Sequence, residues 1–229
     1  MVTGGSSSGV AVAVQSLCQE QGIIFMAGLT HSNDTTGKDK RRYGFRHFFN
    51  AYMSGAALAP VLNKEYGGDR RAYHLTADYT WGWTQEESIK NSTEALGTTN
   101  WNWSLQDEGS QAFVQSFGAE YGAPPSMAAH TCYVQTLLYA NACEMAGTFY
   151  PPEVIKQLEG FNFDGMGNGP TLYRAEDHQC FKDVLVVRGN DNPSSQFDLL
   201  KVVDVTPRAQ VEYDWTIFGG ELGPYEVKM

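Results

Sequence analysis

The stretch "GGSSSGVAVAVQSLCQEQGIIFMAGLTHSND", Gly4 to Asp34, decides how the rest of the chain is read. Val10 to Gln21 has the pattern of a helix, and Gly22 ends it. Gly22 to Leu29 is a short continuous apolar run, as expected of a strand buried on both faces of a parallel sheet. A polar loop follows. Three hydroxyls flanked by glycines precede the helix, and they admit two readings. Gly5-Ser6-Ser7-Ser8-Gly9 spells the G-x-S-x-G of a hydrolase nucleophile elbow. It is also a flexible turn that offers hydroxyls and free amides at a helix N-terminus, where an anion is stabilised. No lysine follows the glycines, so a Walker-type phosphate cradle is excluded.

Outward from this stretch, a helix is predicted from Ala51 to Tyr66, with Pro60 inside it at a cost of about 3 kcal/mol unless the helix kinks. "RAYHLTADY" (71–79) reads as a second strand. Thr84 and Glu87 form a capping box for a helix that Gly97 stops. This strand–helix alternation marks an α/β protein with a parallel sheet, in which ligands lie beyond the carboxyl ends of the strands. "THSND" and "DYTWGW" fall at such ends, and so does the Ser turn if a strand precedes Met1. The second half predicts helices over 108–122 and 127–146, a short one opened by Pro151-Pro152, and strands within 180–189 and 197–205.

The 229 residues carry 26 acidic and 16 basic side chains, a formal charge of −10. Such a surface is a poor partner for nucleic acid or anionic membrane. The one basic cluster, "KDKRR" (Lys38 to Arg42), reads as a solvated loop. No apolar run has the length of a membrane span, and "MVTGG" lacks the regions of a signal peptide. The four cysteines form no CxxC pair, and Cys132 and Cys143 lie roughly 16 Å apart along one predicted helix, too far to bridge. "DHQC" (Asp177 to Cys180) has no partner cluster and reads as a hydrogen-bonding turn rather than a metal site. No cofactor is expected.

The order of these motifs resembles the type I periplasmic solute-binding proteins of ABC importers, in the branched-chain amino acid and amide group. It rests on the Ser turn and helix, the strand ending "AGLTHSND", "GFRHFFNAYMSGAALA", and Asp78 to Gly82 as D-x-x-aromatic-Gly. It extends to "FVQSFGAEYGAPPSMAAHTCYVQTLLYANACEMAG" and "RAEDHQCFKDVLVV". The resemblance implies a two-lobed α/β fold of parallel sheets flanked by helices, shortened here. The family's first strand–helix units are absent, and "EALG" runs directly into "TTNWNW" where the family has a block of its second lobe. The implied division is lobe 1 over 1–66, lobe 2 over 67–97, a return to lobe 1 over 98–180, and a last crossing with lobe 2 strands and the tail over 181–229.

By the same resemblance, Ser6 and Ser7 receive a ligand carboxylate, and Leu29, Thr30 and His31 take its ammonium or amide. Tyr79 and Trp81 form an aromatic wall. Trp101 is the candidate where the chain re-enters the cleft; the alternating spacing aims Trp101 and Trp103 the same way, so either both line the cleft or both pack the core. His130 and Tyr133 are assigned to the core. The function implied is non-enzymatic capture of a small amino acid, amide or carboxylate in the periplasm, for delivery to an ABC permease. The alternatives are a serine hydrolase using Ser7, Asp164 and His178, and a shortened remnant or sensor that binds nothing.

Overall fold

A computed structural model of the chain describes residues 1–67, 76–89, 96–167 and 169–227. Its first sheet is parallel, with strands β1 (Val2–Gly4), β2 (Phe25–Ala27) and β3 (Gly44–Arg46) in that spatial order. Helix α1 (Ser8–Glu20) joins the first two strands. The strand needed before the Ser turn is therefore "VTG" itself, within the chain. Gly4 and Gly5 take φ values of +137° and +85°, a conformation open to glycine that swings the chain from β1 into α1. Alternation divides β2 and its lead-in between two faces. Phe25 and Ala27 pack with Ala11 and Cys18 of α1. Ile24 and Met26 face the opposite core, with Val134 and Leu138 of α5 (Met127–Ala146) and Ile155 of α6 (Pro151–Leu158).

Helix α2 (Ala51–Tyr66) follows β3, capped by the Asn50 side chain, which accepts from the Met53 amide at 2.9 Å. Pro60 is tolerated on its exposed side. Helix α3 (Thr80–Ile89) begins four residues before the expected capping box. Thr84 thus lies inside the helix, and its hydroxyl donates back to the Thr80 carbonyl at 3.0 Å. Of the strand predicted over 71–79, residues 71–75 lie outside the described residues and 76–79 form a turn into α3. Gly97 stops no helix. It sits in strand β4 (Leu96–Thr99), paired with Val187, so one strand runs through the Gly97–Thr98 junction.

Helix α4 (Glu108–Tyr121) is capped by Asp107 and closed by Gly122 in the left-handed conformation; α5 is closed likewise by Gly147. Strands β5 (Asn162–Phe163), β6 (Thr171–Tyr173) and β7 (Cys180–Phe181) make a small antiparallel sheet. A bridge from Arg46 to Gln179 ties it to the parallel sheet. Strands β8 (Val184–Gly189) and β9 (Leu200–Thr206) form an antiparallel sheet with β4 in the order β4-β8-β9. The late apolar runs thus pair antiparallel, and among the described residues only the first sheet is parallel. Helix α2 packs Met53, Ala57 and Leu62 against Val184 and Val186 of β8. The tail adds a single turn, α7 (Arg208–Val211), and a 3-10 turn at Trp215–Phe218.

Candidate functional site

The carboxyl ends of the parallel strands lie level, with Gly4, Ala27 and Arg46 in register. Beyond them the chain builds a cavity of about 240 Å³ lined by Ser6, Ser8, Leu29, His31, Tyr79 and Trp81. Three separate segments meet here: the turn into α1, the loop after β2, and the start of α3. Five of the residues singled out from the sequence, Ser6, Leu29, His31, Tyr79 and Trp81, are brought together in this wall.

Ser7 is the N-cap residue of α1; it is not among the lining residues, and its side chain makes no capping hydrogen bond. The first intrahelical bond runs from the Ala11 amide to the Ser7 carbonyl at 3.0 Å. The amides of Ser8, Gly9 and Val10 thus lack an intrahelical acceptor, and the helix dipole adds positive potential at this end. Ser8, not anticipated as a site residue, is committed to structure: its Oγ accepts from the Ser32 amide at 3.2 Å and ties α1 to the loop after β2. Only the packing of that loop against α1 reveals this role.

Thr30 is fully buried and is not among the lining residues. Its Oγ1 has no hydrogen-bond partner among the described residues. His31 is held edge-on by Phe48 and Phe49, with ring centroids 4.3 and 4.9 Å away, and faces Trp81 at 6.2 Å. Its carbonyl accepts from the Ala51 amide at 2.7 Å, so the loop is anchored on the first turn of α2. Burial, reinforced by the charge of Arg46, lowers the His31 pKa to about 3, so the imidazole facing the cavity is neutral. Tyr79 and Trp81 stand 6.0 Å apart, and the buried indole N–H of Trp81 finds no acceptor among the described residues.

Trp101 is placed elsewhere. It is 1% exposed, stacks on His130 at 4.3 Å and donates its indole N–H to Ser110 Oγ at 2.8 Å. Strand β4 ends at Thr99, so the alternation that would aim Trp101 and Trp103 alike is absent: Trp103 lines a different groove, with Val114 and Phe197. His130 is buried as assigned, whereas Tyr133 is 41% exposed. "KDKRR" is not simply a solvated loop, because Lys40 is 2% exposed and its ammonium lies 4.7 Å from the ring centre of Trp215.

The "DHQC" segment is a buried hydrogen-bonding turn. Asp177 accepts from Arg174 Nε at 2.9 Å, and Gln179 donates to the carbonyls of Phe48 and Cys180. His178 adopts φ +58°. Its Nδ1 meets the Gly44 carbonyl and its Nε2 meets Glu159, each at 2.9 Å. The backbone of His178 accepts from the Arg46 amide at 3.1 Å, on the side of β3 away from β2, so two strands separate it from the Ser turn. Among the described residues no group of three or more His, Cys, Asp or Glu could hold a metal ion.

The family model described as "Periplasmic binding protein" matches residues 1–99 and 94–194. The chain belongs to this family of solute binders, whose structurally characterised neighbours are two-lobed. The two matched segments meet where "EALG" runs into "TTNWNW". Among solved structures, an amino acid ABC transporter substrate-binding protein from Pseudomonas fluorescens Pf-5 is 17% identical, with a TM-score of 0.84 over 96% of this chain and 80% of that one. A periplasmic binding protein from Burkholderia mallei is 16% identical, TM-score 0.81, over 92% of this chain and 77% of its own. A solute-binding protein of an ABC transporter from Rhodopseudomonas palustris BisB5, in complex with 3,4-dihydroxybenzoic acid, is 12% identical, TM-score 0.77, over 91% and 78%. At these identities the likeness establishes the fold alone. No curated protein sequence matches.

Proposed function

We propose that the chain is the substrate-binding component of an ABC importer, capturing a small amino acid, amide or carboxylate for a membrane permease in the periplasm. One observation carries this reading: a single cavity joins the free N-terminus of α1, the loop after β2 and the aromatic start of α3. The amides at α1 suit a carboxylate, and Tyr79 and Trp81 suit an apolar or ring-bearing body. We assign the lobes as 1–66 with 98–180 and 67–97 with 181–229, except that Thr98 and Thr99 go with the second group because β4 pairs along its whole length with β8. Closure of one lobe on the other would be a hinge motion selected by the ligand, with no bond made or broken.

The geometry favours binding over hydrolysis by Ser7. Although β1 supplies a strand–turn–helix at Ser7, both nitrogens of His178 are occupied at the far edge of the sheet. The test is calorimetry against a panel of amino acids, their amides and simple carboxylates. Because Ser6 lines the cavity and is exposed, Ser6→Ala is expected to leave the melting temperature unchanged while weakening the bound solute about tenfold. Labelling of Ser7 by a fluorophosphonate probe, or a panel that yields no heat, would overturn the proposal.

A further inference from the structure

The chain has a formal charge of −10, yet Lys40, Arg46 and Lys182 are buried, at 2%, 0% and 2% exposure, and form no salt bridge among the described residues. Lys182 Nζ contacts neutral His47 at 3.0 Å. A buried cation without a carboxylate is costly and persists only where something else requires it.

Arg46 is the one tied to the cavity. Its guanidinium is held by neutral groups: it donates to the Ser32 carbonyl, to Thr36 Oγ1, and to Gln179 Oε1 at 2.7 Å, and the Tyr213 side chain is a further partner. The nearest acidic groups are already taken, Asp34 by Lys38 at 3.1 Å and Asp177 by Arg174. Ser32 is next to the lining residue His31 and bonded to the lining residue Ser8. Arg46 is also in register with Ala27 and Gly4, two strands from the Ser turn, so roughly 10 Å separates the two backbones. Its charge is fully buried, where screening is weak, and it acts on the lining residue His31. It adds to the positive potential of the α1 terminus.

We propose that Arg46 is an electrostatic positioning residue, and that the site selects solutes of net negative charge, carboxylates without a compensating ammonium, over zwitterionic amino acids and neutral amides. This rests on the solute-binding reading and narrows it. A zwitterion brings a positive group into the field that draws its carboxylate in, whereas a plain carboxylate gains from both sources.

The experiment is calorimetry with matched probes: benzoate, benzamide and L-phenylalanine, then isovalerate and L-valine. The unaltered chain is expected to bind at least one plain carboxylate ten or more times tighter than its amide or amino acid counterpart. Arg46→Gln, shown folded by circular dichroism, should bring benzoate and benzamide within about threefold, and Arg46→Lys should keep the preference. Should Arg46→Gln fail to fold, Thr36→Asp places a carboxylate against the same guanidinium and should likewise erase the preference. The inference is overturned if the amino acids or benzamide bind as tightly as the plain acids, or if folded Arg46→Gln keeps the ratio. Binding of amino acids with no binding of the acids would sink it while leaving the importer reading intact. Absence of heat from every probe would sink both.

Discussion

Trp101 and Trp81 show how the same side chain serves two ends. Both lie near turns and both were expected at the cleft, but only Trp81 lines the cavity, with its indole N–H unpaired among the described residues. Trp101 spends its N–H on Ser110 and its face on His130. Trp101→Phe is therefore expected to cost about 1–2 kcal/mol of stability, from a lost buried hydrogen bond and a void. Solute affinity should be unchanged, which melting and calorimetry on one sample would check; a selective loss of affinity would return Trp101 to the site. The hydroxyls and aromatic residues of the site were legible as types that suit a carboxylate and an apolar body. Whether a given ring faces the cavity was not, because that depends on where β4 ends and what α5 presents to it.

The placement of α3 decides whether the aromatic wall exists. Helix α2 meets it closely at Gly55, where a Cβ would come within 2.4 Å of the Ser88 carbonyl oxygen. Ser54 Oγ also accepts from Gln85 Nε2 at 3.3 Å. Backbone cannot yield as a flexible side chain can, so Gly55→Ala should push α3 off α2, at about 1–3 kcal/mol of stability. Trp81 moves with the helix, so a parallel loss of solute affinity is expected by calorimetry; an unaltered affinity would mean that the wall does not depend on this contact. The bounds of α2 and α5 followed from periodicity and caps. The start of α3 did not, because Thr84 carries the chemistry of a cap while the chain has already turned helical at Thr80. Likewise, apolar runs such as "DVLVV" announce strands, but side-chain pattern does not fix strand direction; the return from β8 to β9 does.

Burial of histidine gives the molecule a pH limit. Desolvation, with the charge of Arg46 or Lys182 added, lowers His31 and His130 to about 3 and His47 well below its ordinary value. Unfolded histidines titrate near 6.5. Above that pH neither state of the chain binds these protons, and the full stability is present. As pH falls below 6.5 the unfolded chain takes up protons that the native state refuses, so stability is lost by as much as about 1.4 kcal/mol per pH unit for each histidine. Urea denaturation is expected to show midpoints dropping steeply from pH 6.5 to 5. A flat profile over that range would mean that these rings are protonated in the fold.

What the sequence by itself determined is the local grammar. The glycine–serine turn, the capped helices and the apolar strand between them follow from short-range sterics and periodicity, and their order gave the α/β class and the family likeness. Among the described residues, the tertiary structure alone decided that one sheet of three is parallel, that Trp101 and Lys40 turn inward, and that Arg46 is buried without a salt bridge. Those outcomes depend on contacts between residues far apart in the chain, such as Arg46 with Gln179 and Trp101 with His130. Burial and charge are properties of the packed neighbourhood, which no window of sequence contains.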